Sequence, residues 1–357
     1  MRVLGIETSC DETAASVVED GQRLLSNVVA SSMDLHVQYG GVVPEIAARS
    51  HIESINPVIE QALTEAECSW DDIDAIAVTY GAGLGGSLLI GVLAARTLAI
   101  TKQKPLYACN HVVGHVFANF LTSAKDSPAL ADYNFPAQPP AFPMLAIIVS
   151  GGHSQLALFR DYFDYSLLGQ TQDDAIGEAF DKVAKILGLP YPGGPSVGKK
   201  AIDGDPLKYV LPKAKLDGKY DFSFSGLKTA VLRLAQAEIG EDYTFPSTKL
   251  AERLSEAQKA DIAASFQRIA VETIVDKAVL ACEEFQPKSV VIAGGVAASP
   301  ELRRQLTDRL PLPIEFPDLK VCTDNGAMIA TLGCYQAILG QPAADPYSLE
   351  IQPNLSM

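Results

Sequence analysis

Basic residues are in short supply. Against 43 Asp and Glu, the 357-residue chain carries 28 Lys and Arg, a formal charge of −15. Such a field repels polyanions, so any contact with nucleic acid has to run through a local patch or a basic partner. Paired cysteines are also missing. The six (Cys10, Cys68, Cys109, Cys282, Cys322, Cys334) are scattered without a CxxC, which argues against a disulfide framework or a redox pair and reads as a reduced compartment. The most apolar stretch, residues 88–100, is too short to span a bilayer and contains Arg96, so no membrane association is expected. The opening MRVLGIETSCDE has neither an apolar core nor a small-residue cleavage site, and a cytoplasmic location is the expectation. Apolar residues are plentiful. At 48% hydrophobic and 20% charged, the chain can bury two cores and is not a disordered polymer.

Strand and helix signals alternate, which predicts an α/β fold. Residues 3–6 form an apolar run, 7–13 a polar turn, and 14–18 an apolar return. The arrangement recurs as 145–149, the turn SGGHS (150–154) and 155–159, which suggests a duplication. A second pair agrees. A strand at 73–79 precedes GAGLGG (81–86) and an apolar helix; a strand at 289–293 precedes Gly294, Gly295 and another helix. Strand, glycine turn and helix can aim backbone N–H groups at an anion, so the paired turns predict a nucleotide gripped between two domains. Residues 122–143, with Pro128, Pro136, Pro139, Pro140 and Pro143, read as a linker or insert. The expected division is 1–121 plus 325–357, the linker 122–143, and 144–324. The final helix, about 325–339, should pack back on the first domain.

Two of the five histidines form HVVGH (111–115). At i and i+4 they share a helical face, so both imidazoles either meet one metal or cap and pack. A zinc peptidase of the HExxH type needs Glu after the first His; Val112 stands there. Two His ligands need a third, and Asp324 in CTDNG (322–326), read as a strand end before a helix, is the candidate. His153 in the second polar turn suits a ligand contact, while His36 and His51 read as surface or core residues. Glu7, Asp11 and Glu12 surround the first turn, where crowded carboxylates either create a general base or form a solvated Asx turn. Asp174, Glu178 and Asp181 fall at i, i+4, i+7 on a helix expected from about 173. They either pair with Lys182 and Lys185 or bridge a ribose. YPGGP (191–195) follows and would let backbone approach the same ligand. Residues 199–228 hold seven Lys and four Asp, the place to look for nucleic-acid contact unless this is simply a solvated lysine face.

Ten segments occur in one order: GIETSCDET (5–13), GGVVPEIAARSH (40–51), GAGLGGSLLIG (81–91), KPLYACNHVVGH (104–115), VSGGH (149–153), GEAFDK (177–182), YPGGP (191–195), FSFSGLKTA (222–230), AGGVAAS (293–299) and CTDNGAMIA (322–330). Together they resemble the tRNA adenosine threonylcarbamoyltransferases, the TsaD-type proteins once called O-sialoglycoprotein endopeptidases. The resemblance covers nearly the whole chain. It implies a duplicated actin/hexokinase/Hsp70-type (ASKHA, RNase H-like) fold with two domains around a nucleotide cleft. The implied reaction moves a threonylcarbamoyl group from threonylcarbamoyl-adenylate to the exocyclic amine of the adenosine 3′ of the anticodon, in tRNAs reading codons that begin with A, and releases AMP. By the same resemblance His111, His115 and Asp324 hold one divalent metal, iron(II) in the first place and zinc(II) as the alternative. Val149, Ser150, Gly151, Gly152, His153, Asp181 and Gly194 contact the adenylate, with Asp181 on the ribose. Many members have Asn where this chain has Ser299, whose hydroxyl can make part of that contact. Asp11 and Glu12 are the candidate catalytic pair, relaying the amine proton or fixing the metal. Bacterial members work with a TsaB-type inactive paralogue, as a heterodimer, and a TsaE-type P-loop ATPase. A partner would supply basic surface for tRNA. Two other enzyme readings fit less well, because a small-molecule kinase has no use for the His pair and a metallopeptidase lacks its base. An inactive scaffold would be expected to lose the triad.

Overall fold

Nearly every residue of β1 (Arg2–Glu7) and β2 (Glu12–Glu19) is buried, as happens when a strand is covered on both faces. The computed structural model describes all 357 residues. It divides into two units, residues 1–140 with 315–357 and residues 141–314. In the first, β1 pairs antiparallel with β2 and parallel with β4 (Ala75–Gly81). With β3 (Arg23–Ser31), β5 (Leu106–Asn110) and β6 (Ser123–Ala124), the sheet runs in the order β5-β4-β1-β2-β3-β6. Helices α1 (Pro44–Ala66) and α2 (Gly85–Lys102) bury Ile55, Val58, Ile59, Ala62, Val92, Ala95 and Ala99 in one core with Leu4, Ile6 and Val78. The helix α3 (His111–Phe117) follows β5 directly and is buried along its whole length.

The second unit repeats the plan. Its strands β7 (Met144–Val149), β8 (Ser154–Phe159), β9 (Tyr165–Gln170) and β10 (Ser289–Ala293) run in the order β10-β7-β8-β9, matching β4-β1-β2-β3. Here too the first strand is antiparallel to the second and parallel to the fourth. Around the sheet lie α4 (Ile176–Leu187), α5 (Gly193–Ala201), α6 (Ser225–Glu238), the 30-residue α7 (Glu256–Phe285) and α8 (Pro300–Arg309). The chain then returns to the first unit as α9 (Gly326–Ile338), whose Gly326 and Ala330 backbone lies against Gly5 of β1.

Several details differ from the sequence reading. The proline-rich residues 122–140 belong to the first unit: β6 pairs with β3, and Asn134 N–H donates to Asp318. Residues 315–324 belong there too. No strand precedes Asp324; a single 3₁₀ turn, Leu319–Val321, does, because Pro311, Pro313 and Pro317 lack the N–H groups a strand ladder needs. Helix α2 is 18 residues, long and apolar enough by length and composition to cross a membrane. Its small buried residues, Ser87, Gly91, Ala95 and Ala99, are those of a helix packed closely on a sheet. Helix α4 begins at Ile176, so Asp173 and Asp174 stand before it.

Candidate active site

His111 and His115 lie one turn apart on α3, and Asp324 immediately precedes the N-cap of α9. The two elements therefore bring together residues more than 200 positions apart in sequence. His115 Nε2 is 3.1 Å and His111 Nε2 3.7 Å from Asp324 Oδ1, and one ligand atom from each residue falls within 4.8 Å of the others. His115 is 3% exposed, yet its Nδ1 has no hydrogen-bond partner and its Nε2 forms no hydrogen bond to the nearby carboxylate. Unsatisfied buried nitrogen costs about 1–3 kcal/mol. Two imidazoles and a carboxylate converging in this way fit a divalent metal of the borderline, nitrogen-loving kind, with coordination positions left for substrate.

Glu7 completes the set. It is fully buried, accepts from Ser9 N–H at 2.5 Å and from the Thr79 hydroxyl, and stands 3.3 Å from His111 Nδ1. A carboxylate on the far nitrogen of a ligand histidine fixes the tautomer that presents Nε2 to a metal. Burial opposes its ionisation, but His111 holds Glu7 below the ordinary carboxylate range. Burial by itself would lower the His111 pKa, yet Asp324 and Glu7 push it up to about 9. A proton on the imidazole or a divalent ion answers the same negative potential. By sequence Glu7 is one of three turn carboxylates; only its pairing across β4 and α3 separates it from Asp11 and Glu12.

The turn after β1 is held rigidly. His51 Nε2–H donates to Cys10 O at 3.0 Å, which leaves Nδ1 to accept from the Thr13 hydroxyl at 2.7 Å. Ser87 also donates to Cys10 O. His36 accepts Val43 N–H and meets Ser32, whose hydroxyl donates to Asp11 O at 2.8 Å. Both histidines are fully buried, so they are core residues with a defined task. Glu12 accepts from Ser31, and burial together with Asp324 and Asp11 pushes its carboxyl up to about 9. Burial and the same carboxylates push the Cys10 thiol far up, so it is no thiolate nucleophile.

In the second unit a different group of residues converges at the ends of the parallel pair β7 and β10. Ser150 and His153 close the glycine turn reciprocally, Ser150 N–H to His153 O at 2.8 Å and His153 N–H to Ser150 Oγ at 3.0 Å. Gly151 and Gly152 are left exposed. Gly177, in the first turn of α4, donates to Ser150 O. Gly294 sits at φ +91°, where a Cβ would come within 2.5 Å of Val149 O; no other residue fits there without strain. Asp181 accepts Gly193 N–H at 2.6 Å through Oδ1, leaving Oδ2 for a ligand, and burial raises its pKa. Gly194 faces open space. Ser299 caps α8, its Oγ accepting Leu302 N–H at 3.4 Å.

Two expectations change. The first glycine turn (81–86) is covered: Gly83 N–H donates to Pro353 O and Leu84 N–H to Ser9 O, so these donors are spent within the protein. The lysine-rich segment is drawn along the acidic side of α7, with Lys200 on Glu256, Lys213 on Glu272 and Asp276, and Lys219 on Glu284. Of the expected helix pairs Glu178–Lys182 forms, while Lys182 also reaches Asp174 at 2.7 Å. Asp173 instead anchors the FSFSG segment, accepting from Ser223, Phe224 and Ser225.

Two sheets of one strand order, each with a polar hairpin turn and a parallel neighbour, define the duplicated ASKHA class. HypF from T. kodakarensis aligns with 97% of this chain and 47% of its own, at 15% identity and a TM-score of 0.57, a likeness of fold alone. The family profile of TsaD, tRNA N6-adenosine threonylcarbamoyltransferase, matches residues 23–331. A protein of that name from Thermomicrobium roseum is 48% identical over 347 residues, 95% of this chain and 93% of its own. Another, from Dehalococcoides mccartyi, is 46% identical over 357 residues, 100% and 99% of the two chains. The chain belongs to the tRNA N6-adenosine threonylcarbamoyltransferase family.

Proposed function

We propose that this chain transfers the threonylcarbamoyl group of threonylcarbamoyl-adenylate to N6 of the adenosine 3′ of the anticodon, in tRNAs reading codons that begin with A, releasing AMP. Membership of the family supports the reaction, and the His111–His115–Asp324 group carries the reading that it is metal-dependent. Iron(II) is the first choice and zinc(II) the second. When bound, such an ion supplies a Lewis acid that polarises the carbamoyl oxygen. The chain's own residues do the rest. Residues 149–153 and Gly194 bind the phosphate end of the adenylate through backbone, Asp181 Oδ2 takes the ribose hydroxyls, and Ser299 offers its hydroxyl hydrogen to the nucleoside. An aryl amine is a weak nucleophile, so the gain comes from placing it against the carbonyl carbon and meeting the developing charge. Asp11 or Glu12 relays the amine proton or helps to hold the metal.

A TsaB-type paralogue is the expected partner, and a TsaE-type ATPase a second. Gly86 of α2 packs on Ala48 of α1, and Ile52, Leu89 and Leu93 stand 60%, 44% and 45% exposed on these neighbouring helices. The deciding experiment is reconstitution with threonine, bicarbonate, ATP, unmodified tRNA, the adenylate-forming enzyme and both partners, with nucleosides read by mass spectrometry. Modified adenosine that requires this chain, and is lost together with bound metal in His111→Ala, is the expected result. Product at the wild-type rate from metal-free His111→Ala would end the metal-dependent reading. No product despite verified adenylate would leave a scaffold.

A further inference from the structure

The turn between β4 and α2 is sealed on two sides. On one lies a segment near the end of the chain: Gln352 N–H donates to Tyr80 O at 2.7 Å, and Gly83 N–H to Pro353 O at 3.1 Å. Gly81 has no room for a side chain, since Gln352 O and Leu355 Cβ take the place of one. On the other side Leu84 N–H holds Ser9 O at 2.7 Å, and Ser9 Oγ is 3.1 Å from His111 Nδ1. A second path is more direct. Asn110 Oδ1 caps α3 by accepting Val112 N–H at 2.8 Å and Val113 N–H at 3.2 Å, while its Nδ2 donates to Ser356 O at 3.0 Å. Arg96 fixes the approach of this segment by donating to the carbonyls of Pro346, Tyr347 and Leu349.

We infer that residues 351–356 form a strap that positions the metal-ligand helix, and that Asn110 is the positioning residue through which it acts. The inference rests on the metal reading above. Helix α3 has seven residues, too few to hold itself together in isolation, so its body is held by the core, with Gly114 against Ile329 and Met328 of α9. Its N-terminal turn, which carries His111, is held by its cap and whatever holds the cap. Asn110 spends its acceptor on the helix and its donor on the strap. Ser9, the other neighbour of His111, is reached from the same strap through the glycine turn. A ligand set has to be held to within about 0.5 Å, and slack in the strap reaches His111 by both routes.

The test uses the full chain, Asn110→Asp, a truncation after Glu350, and the two combined. Asn110→Asp keeps the cap, because a carboxylate accepts the same N–H groups, and removes the donor to Ser356. The charge it adds favours the helix N-terminus and a nearby cation, so a loss of affinity reads the lost contact. Cobalt(II) affinity is read by titration, and hydrogen exchange of residues 81–84 and 110–117 by mass spectrometry without metal. Expected are a roughly tenfold loss of cobalt affinity in each single variant, the low end for an outer-shell contact, and faster exchange in the 110–117 segment. The combined variant should be no worse than the truncation, since the truncation already removes the Asn110–Ser356 contact together with those to Tyr80 and Gly83. Affinity within twofold of wild type and unchanged exchange in Asn110→Asp would overturn the strap, whatever the truncation does. Faster exchange in a protein that, even as wild type, binds no cobalt would support the strap's hold on α3 and overturn the metal reading instead.

Discussion

Glu7 and His51 show how little of a residue's task its type reveals. Both are fully buried polar groups near one turn. Glu7 faces His111, a proposed metal ligand, and Glu7→Gln keeps its shape while removing the charge beside His111 Nδ1. Cobalt(II) or zinc(II) affinity should fall about 10- to 100-fold in that variant, beside some loss of stability because one of the Ser9 and Thr79 donors loses its acceptor; an unchanged titration would leave Glu7 a packing residue. His51 is held neutral by burial, against the smaller pull of the Cys10 carbonyl and of Glu7 and Asp11. Its pKa is thus lower folded than unfolded, so below about 6.5 the unfolded chain binds a proton that the folded chain refuses. Stability should be full above that pH and decline as pH falls through it. Urea midpoints at pH 7.5 and 5.5 should differ less in His51→Gln than in wild type.

Among the elements, the join between β7 and β10 is the most exacting. Gly294 adopts φ +91° with Val149 O behind it, so Gly294→Ala should destabilise by about 1–3 kcal/mol through backbone strain. It should also weaken adenylate binding, because the displaced backbone is that of Val149 and Ser150. Calorimetry and binding of a non-hydrolysable adenylate analogue check both; binding kept intact would separate this loop from the nucleotide. The lysine-rich segment makes the opposite point. Three of its seven lysines, Lys200, Lys213 and Lys219, are committed to α7 in largely exposed pairs that add little, so less of it is a free basic face than the composition suggests.

For the molecule as a whole, the charge of −15 opposes a tRNA backbone, which is the reason for proposing a partner that supplies basic surface. The exposed Leu89 and Leu93 are where a partner would seal apolar surface. Leu89→Glu combined with Leu93→Glu should abolish the complex with a TsaB-type paralogue in size-exclusion light scattering while the monomer melts as before. A complex that persists would move the interface elsewhere.

The periodicity of apolar residues determined the two α/β halves, because each strand pair and its neighbour read as local apolar runs broken by polar turns. The His111–His115 pair was equally legible, since i and i+4 share a helical face whatever surrounds them. Asp324 could be nominated from its place before a helix, but the path to it as a strand was misread. Three things were decided only by tertiary structure. Glu7 was set apart from Asp11 and Glu12 by the element it faces, the first glycine turn was closed by residues about 270 positions away, and three of the seven lysines were claimed by an acidic helix. Each is a contact between segments distant in sequence, and a linear pattern records what a residue can bond to but not which distant group the fold brings within reach.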